Sequence, residues 1–266
     1  MTVIKIQLST GNQYSLPLTE VGNLQSAGFN LEHMGVYAEA QDFIERLIPN
    51  DPTYQKLLKN GLRNNFTTVV REGLTPEQLR LYFYSSAIFH NSGTPKRPYQ
   101  LIAYPENSPF VELVKNGSLN PSNWNIIKEI IEYEIKKHGI ASHNINMFRL
   151  TEYIKDFDEM ATQEQWEILR RTAEKIIKSS KYTKLEDIIS GFVILVEQNK
   201  SSQDPSFNEK LSIFGETLAE IDLRTRQGRT LSETYENTTE QFRVLIDRNI
   251  SVQRARDLKR SVISRL

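Results

Sequence analysis

The chain from Arg248 to Leu266 carries Arg248, Arg254, Arg256, Lys259, Arg260 and Arg265 against one acid, Asp257. Guanidinium groups at that density suit bidentate bonds to phosphate or carboxylate. From Gln241 onward, seven bases face two acids, a local charge of +5 in a chain whose 33 basic and 33 acidic side chains cancel. The neutral total excludes a global polyanion-binding charge, so any nucleic-acid contact has to be a local patch. Wound as a helix, Ser251–Leu266 gathers Val252, Ala255, Val262, Ile263 and Leu266 into one arc, with Lys259 inside it. Arg254 and Arg265 flank one side of the arc, Arg256 and Arg260 the other. The stripe is expected to pack on a helical body and leave those four arginines outside. Part of the positive charge also answers a helix C-terminal dipole.

A second group lies in "LRLYFYSSAIFHNSGTPKRPYQLIAY". Tyr82, Phe83, Tyr84, Phe89, Tyr99 and Tyr104 are interleaved with Arg80, Lys96 and Arg97. Aromatics among bases suit single-stranded nucleic acid, where bases stack and cations meet phosphates. The competing reading places Leu79, Phe83 and Ala87 in the core and Tyr82 and Tyr84 on its rim. Lys96, Arg97 and Tyr99 are the residues of this stretch assigned to a contact with nucleic acid or an acidic partner.

Other chemistry is weakly represented. Glu134 and His138 share a helical face, and His143 follows, but the spacing fits no common zinc motif. Glu134-Ile135-Lys136 has the order of a nuclease Glu-x-Lys pair, which works on a strand; on a helix the two side chains diverge. There is no phosphate-binding glycine loop and no GxSxG elbow. With no cysteine, disulfides, thiolate metal sites and a cysteine nucleophile are excluded. No metal or cofactor is expected.

The elements that must position these residues are mostly helical. Val3–Leu8, "STGN" and "QYSLPL" read as a β-hairpin with Gly11 in its turn, and such a hairpin has to dock on something larger. Apolar spacing predicts a helix from about Leu31, with Val36, Ala40, Phe43, Ile44 and Leu47 on one face, stopped by Pro49. Asp51 and Pro52 open a shorter helix ending near Gly61. Thr75 and Pro76 open another, with Leu79, Phe83 and Ile88 inward. Four of the ten prolines fall between Pro95 and Pro109, marking a loop or boundary with "YQLIAY" as a short strand. Ser122 is expected to cap the next helix, with Trp124, Ile127, Ile131 and Ile135 on one side and Gly139 as its stop. Thr162 and Gln165 form a capping box ahead of Trp166, Leu169, Ala173 and Ile176.

Phe207, Leu211, Phe214, Leu218 and Ile221 form a heptad seam that lapses across "RTRQGRT", centred on Gly228, and returns at Tyr235, Phe242 and Ile246. The lapse predicts a kink or a hairpin turn. The helix, break, helix pattern after Leu231, with Ser251 as second cap, also matches a helix-turn-helix.

The fold expected is mainly α, a multi-helix bundle with a small N-terminal β-hairpin. Residues 1–110 would form the hairpin and helices up to the proline-rich loop, and 111–266 a C-terminal bundle; one continuous domain is the alternative. No stretch resembles a signal peptide or a membrane span, so a cytoplasmic location is expected. The functional expectation is a non-catalytic helical subunit or binding module of a larger assembly. Protein partners are expected, and RNA or DNA backbone is the favoured ligand of the arginine-rich helix. An unrecognised enzyme, metal-dependent or otherwise, and a purely protein–protein adaptor are the alternatives.

Overall fold

The computed structural model describes residues 2–8, 11–47, 50–89, 99–101, 111–113, 121–138, 147–179, 183–225 and 231–266. The chain divides into two compact units. One comprises Met1–Gly117 with Ile140–Phe148, the other Ser118–Gly139 with Arg149–Leu266. Among the described residues both are built mainly of helices, and the first opens on the expected hairpin.

In the first unit, β1 (Val3–Gln7) pairs antiparallel with β2 (Gln13–Pro17), Ile4 opposite Leu16 and Ile6 opposite Tyr14. Gly11 supplies the positive φ, +85°, that the turn requires. The hairpin docks on α1 (Leu18–Ser26) and α2 (Leu31–Leu47), burying Leu8 and Leu16. Apolar spacing does not announce α1; it is only nine residues long and buries only Val21 and Leu24.

Asp51 caps α3 (Pro52–Arg71) by accepting from the Tyr54 N–H at 2.9 Å. This helix does not end at Gly61, as the sequence predicts. It runs ten residues further because Leu62, Phe66, Val69 and Val70 bury on the same side, and Gly73, at φ +94°, lies at its end. Burial of that face outweighs the roughly 1 kcal/mol that a mid-helix glycine costs.

The Thr75–Gln78 capping box opens α4 (Pro76–Ser86): Gln78 N–H donates to Thr75 Oγ1 and Thr75 N–H to Gln78 Oε1. The helix stops before Ile88, which is expected on its buried face. Ala87–Phe89 instead forms β3, paired antiparallel with β4 (Tyr99–Leu101), Ile88 opposite Gln100. The core of this unit is aromatic, with Tyr37, Phe66 and Phe83 meeting edge to face.

The second unit contains α5 (Pro121–His138), α6 (Met147–Met160, from Arg149 onward), α7 (Gln163–Ser179), α8 (Leu185–Ser202), α9 (Phe207–Arg224), α10 (Leu231–Asp247) and α11 (Val252–Ile263). Ser122, expected to cap α5, lies inside it, since Pro121 already occupies a helical position. The Thr162–Gln165 box closes in both directions at the start of α7.

The seam residues Phe207, Leu211, Phe214, Leu218 and Ile221 are all buried, as are Tyr235, Phe242 and Ile246. Between them the chain leaves the helix: Thr225 is extended (φ −84°, ψ 119°), and α9 and α10 are two helices packed on each other. Gly228 lies outside the described residues. A row of rings, Trp166, Phe157, Phe192, Phe214 and Phe242, runs through this core with neighbouring centroids 5.0–6.1 Å apart.

Two glycines let the helices of this core approach closely. A Cβ at Gly191 on α8 would stand 2.9 Å from Thr239 Oγ1 of α10 and 3.0 Å from the Phe214 ring. A Cβ at Gly215 on α9 would fall far inside van der Waals contact with Thr172 Oγ1 of α7.

Candidate functional site

The arginine-rich segment occupies the end of the second unit. Arg248 follows α10 and is exposed. Next, Asn249 takes φ +50° and Ile250 N–H returns to the Leu245 carbonyl, turning the chain into α11. Ser251 stands at the N-cap, as expected, but its side chain makes no cap bond. α11 lies mainly on α9, and ion pairs tie the two. Arg256 reaches Glu209 at 2.6 Å and Lys259 reaches Glu216 at 2.7 Å. Both residue numbers rise together, so α11 runs roughly parallel to α9, with α10 as the returning helix of an up-down-up array.

These ties divide the tail's charge. Arg256 and Lys259 meet carboxylates of their own unit, whereas the other arginines are committed little or not at all. Arg260 has only Asp257, at 3.8 Å with 73% of its side chain exposed, and Arg265 donates to the Ser261 hydroxyl at 3.1 Å. Arg248 and Arg254 make no ion pair with any described residue. The apolar stripe is less covered than expected. Ala255 is buried, but Val252, Leu258, Val262 and Ile263 are only half-buried and Leu266 is 46% exposed. The helix is short and packs mainly on α9, with a smaller contact to α10, so most of its arc remains partly wet.

The aromatic-basic stretch behaves differently. Tyr82 is a core residue, 2% exposed and packed on Phe66, and Phe83 is buried beside it. Arg80 is paired with Glu39 at 3.2 Å. Tyr99 contributes backbone to β4, opposite Phe89. Lys96 and Arg97 lie outside the described residues, as do His90, His143 and Tyr104. The fourth histidine, His33, is buried and bonded to the Leu74 carbonyl at 2.8 Å.

Among the described carboxyls, Glu134 is the one pushed up most. Burial pushes the Glu134 carboxyl up to about 8, against the opposing bond from the Leu185 N–H. A shifted acid marks a functional candidate when substrate can reach it. Glu134 is 0% exposed, and its carboxyl group caps α8 by accepting from the Leu185 N–H, whereas the N-cap residue Lys184 supplies no side-chain bond. Around the same helix end, the Thr183 hydroxyl donates to Asp222 and lies 2.9 Å from the Tyr235 hydroxyl. A hydroxyl has one proton, so Tyr235 is the donor to Thr183. The Tyr133 hydroxyl donates to the Thr183 carbonyl at 3.3 Å. Four helices thus converge on one buried polar knot, whose role is to hold them.

The linkage has a definite sign. A carboxyl whose folded pKa is raised contributes stability below its unfolded pKa, near 4.5, and loses it as pH rises through about 8. Glu134→Gln keeps the carbonyl acceptor for Leu185 and removes the titration. The stability of the variant, measured by urea unfolding, should therefore fall less than that of the parent between mildly acidic and mildly alkaline pH. Parallel curves would show that Glu134 is not the titrating group.

An acidic cleft of about 200 Å³ lies between α8 and α10, with Glu186, Asp187, Glu236 and Glu240 in its walls. Arg149 of α6 bridges its mouth, donating to Tyr153 at 2.8 Å and lying 3.6 Å from Glu186. Among the described residues no group of three or more His, Asp or Glu side chains is arranged to hold a metal ion. No helix there is long and apolar enough to cross a membrane. No protein-family model, curated protein or solved structure matches the chain.

Proposed function

We propose that this chain is a non-catalytic binding module that contacts nucleic-acid backbone through its C-terminal helix. The supporting observation is the split of the tail's charge: Arg256 and Lys259 fasten α11 to α9, while Arg248, Arg254, Arg260 and Arg265 point outward with little or no internal compensation. In a chain of zero net charge these four give the C-terminal segment a local excess of exposed positive charge, spread over both flanks of the helix. Guanidinium groups bind phosphate oxygens with little dependence on base sequence, so such a module would position or fasten rather than read.

The test replaces Arg248, Arg254, Arg260 and Arg265 together by glutamine. All four are exposed, so the melting temperature should hardly change. The parent should bind duplex and single-stranded oligonucleotides at low salt. For every phosphate that the variant no longer neutralises, its log–log salt slope on duplex DNA should fall by roughly 0.9. If the parent binds neither oligonucleotide at low salt, the nucleic-acid reading fails. An acidic protein surface is then the remaining partner for these arginines.

A further inference from the structure

The hairpin leaves one strand edge unpaired beside a cleft. Leu8 N–H donates to the Asn12 carbonyl and Leu18 N–H to the Thr2 carbonyl, which marks 8/12 and 2/18 as bonded pairs. Alternation along an antiparallel ladder makes 4/16 and 6/14 bonded as well. The N–H and C=O groups of Gln13 and Ser15 therefore point away from β1, and none has a backbone partner among the described residues. A cleft of about 450 Å³ opens along this edge, lined by the consecutive β2 residues Tyr14, Ser15, Leu16 and Pro17. Alternate side chains of a strand leave on opposite faces, so four in a row line one cleft only where the strand presents its edge.

The far wall is α3, and it is basic. Lys56, Lys59 and Arg63 follow at one-turn spacing, so they share a face. Lys59 pairs with Glu45, which also accepts from the Tyr14 hydroxyl at 2.6 Å. Burial would raise the Glu45 carboxyl, but those two donors hold it below its ordinary range. Arg63 has one long bond, 3.4 Å, to Glu20. Lys56 is exposed and makes no ion pair with a described residue. The cleft combines strand groups without a backbone partner on one side with bases that Glu20 and Glu45 compensate only in part on the other, Lys56 having no acid of its own among the described residues.

We propose that this cleft takes an extended acidic peptide, which adds to β2 as a third strand and meets Lys56 and Arg63 with its carboxylates. Strand addition supplies affinity through main-chain bonds and specificity through side chains. A two-stranded hairpin gains from a third strand, and an open edge is a template for one. A small anion would use the bases and ignore the edge, which separates the two occupants experimentally. The site lies in the first unit and is independent of the C-terminal arginines.

The experiment titrates the ¹⁵N-labelled full chain with a pool of capped octapeptides that carry glutamate at every second position and mixed Ala, Thr, Val and Ile between. Amide resonances of Gln13 and Ser15 should move. Three changes should each weaken binding about tenfold or abolish it, as removal of one main-chain bond or one charge pair would. They are N-methylation of alternate peptide nitrogens, exchange of glutamate for lysine in the pool, and Lys56→Gln in the protein. Ser15→Pro removes an outward N–H without touching the ladder to β1, a position where proline is tolerated, and should act like N-methylation. The peptide-side changes do not depend on any variant folding. Absence of binding by the acidic pool at millimolar concentration overturns the proposal, as does equal binding by the N-methylated pool. If inorganic phosphate shifts the same resonances and the acidic pool does not, the cleft is a small-anion site and the proposal is wrong.

Discussion

Lys210→Met is expected to destabilise the second unit by about 3–5 kcal/mol, the usual cost of removing one partner from a buried ion pair. Lys210 is 0% exposed and pairs with Asp204, itself buried at the α8–α9 junction. Asp204 also accepts from the Ser206 N–H at 2.9 Å and hydroxyl at 2.8 Å. Burial would raise the Asp204 carboxyl; the Lys210 ammonium and the Ser206 donors outweigh it and hold the group below its ordinary value.

In the parent, this contribution is therefore complete above the unfolded pKa near 3.8 and is lost as pH falls through the folded value. Without the ammonium, burial dominates and the sign reverses: the variant should lose stability as pH rises through a raised carboxyl pKa. Urea unfolding across the acid-to-neutral range measures both slopes. Adding Asp204→Asn should remove the variant's slope and recover part of the loss. A small, pH-independent change in Lys210→Met would mean that the pair is solvated and contributes little.

Gly215→Ala is the second large effect, and its sign runs against helix propensity. In an open helix interior the change would stabilise by about 1 kcal/mol. Here the new methyl meets Thr172 Oγ1, whose hydroxyl is held at 3.0 Å to the Ile168 carbonyl of its own helix, and it approaches Phe192 Cζ at 3.2 Å. Overpacking of a filled core costs about 1–3 kcal/mol and sometimes more, and this site should reach about 3. Thr172→Ala in the same background removes the clashing oxygen and should restore roughly 1 kcal/mol or more beyond additivity. Thermal unfolding of the four proteins in that cycle is the measurement. Full additivity would mean that α7 and α9 separate freely to admit the methyl.

Much of the fold was legible because local signals carry their own physics. Asp51–Pro52, Thr75–Pro76 and Thr162–Gln165 are short-range helix-start patterns, and each cap closes as a bond in the structure. The seam from Phe207 to Ile221 is a period, and burial follows it. What failed to read was decided by distant neighbours. Gly61 resembles a stop until Phe66 and Val70 find a core. Ile88 resembles the next helical position until Leu101 offers Ala87 a strand partner.

The chemistry was legible in part. Composition alone located the tail arginines, but Arg256 and Glu209 are separated by 47 residues, so nothing local distinguishes the fastened bases from the outward ones. Lys210 carried a faint signal, a base on the same arc as Phe207 and Phe214. The unpaired β2 edge and the Lys56–Arg63 ladder become one feature only when the hairpin docks beside α3.

The cap on α8 comes from 51 residues upstream, on another helix. Most helices carry their caps within a turn and can flicker into shape by themselves; α8 is completed only when α5 is already in place. Its first turn therefore belongs to the cooperative core of the unit, not to a fraying margin, and opens when the bundle opens. The order of this first turn is thus tied to a contact made across the bundle, and it persists as long as α5 and α8 stay packed together.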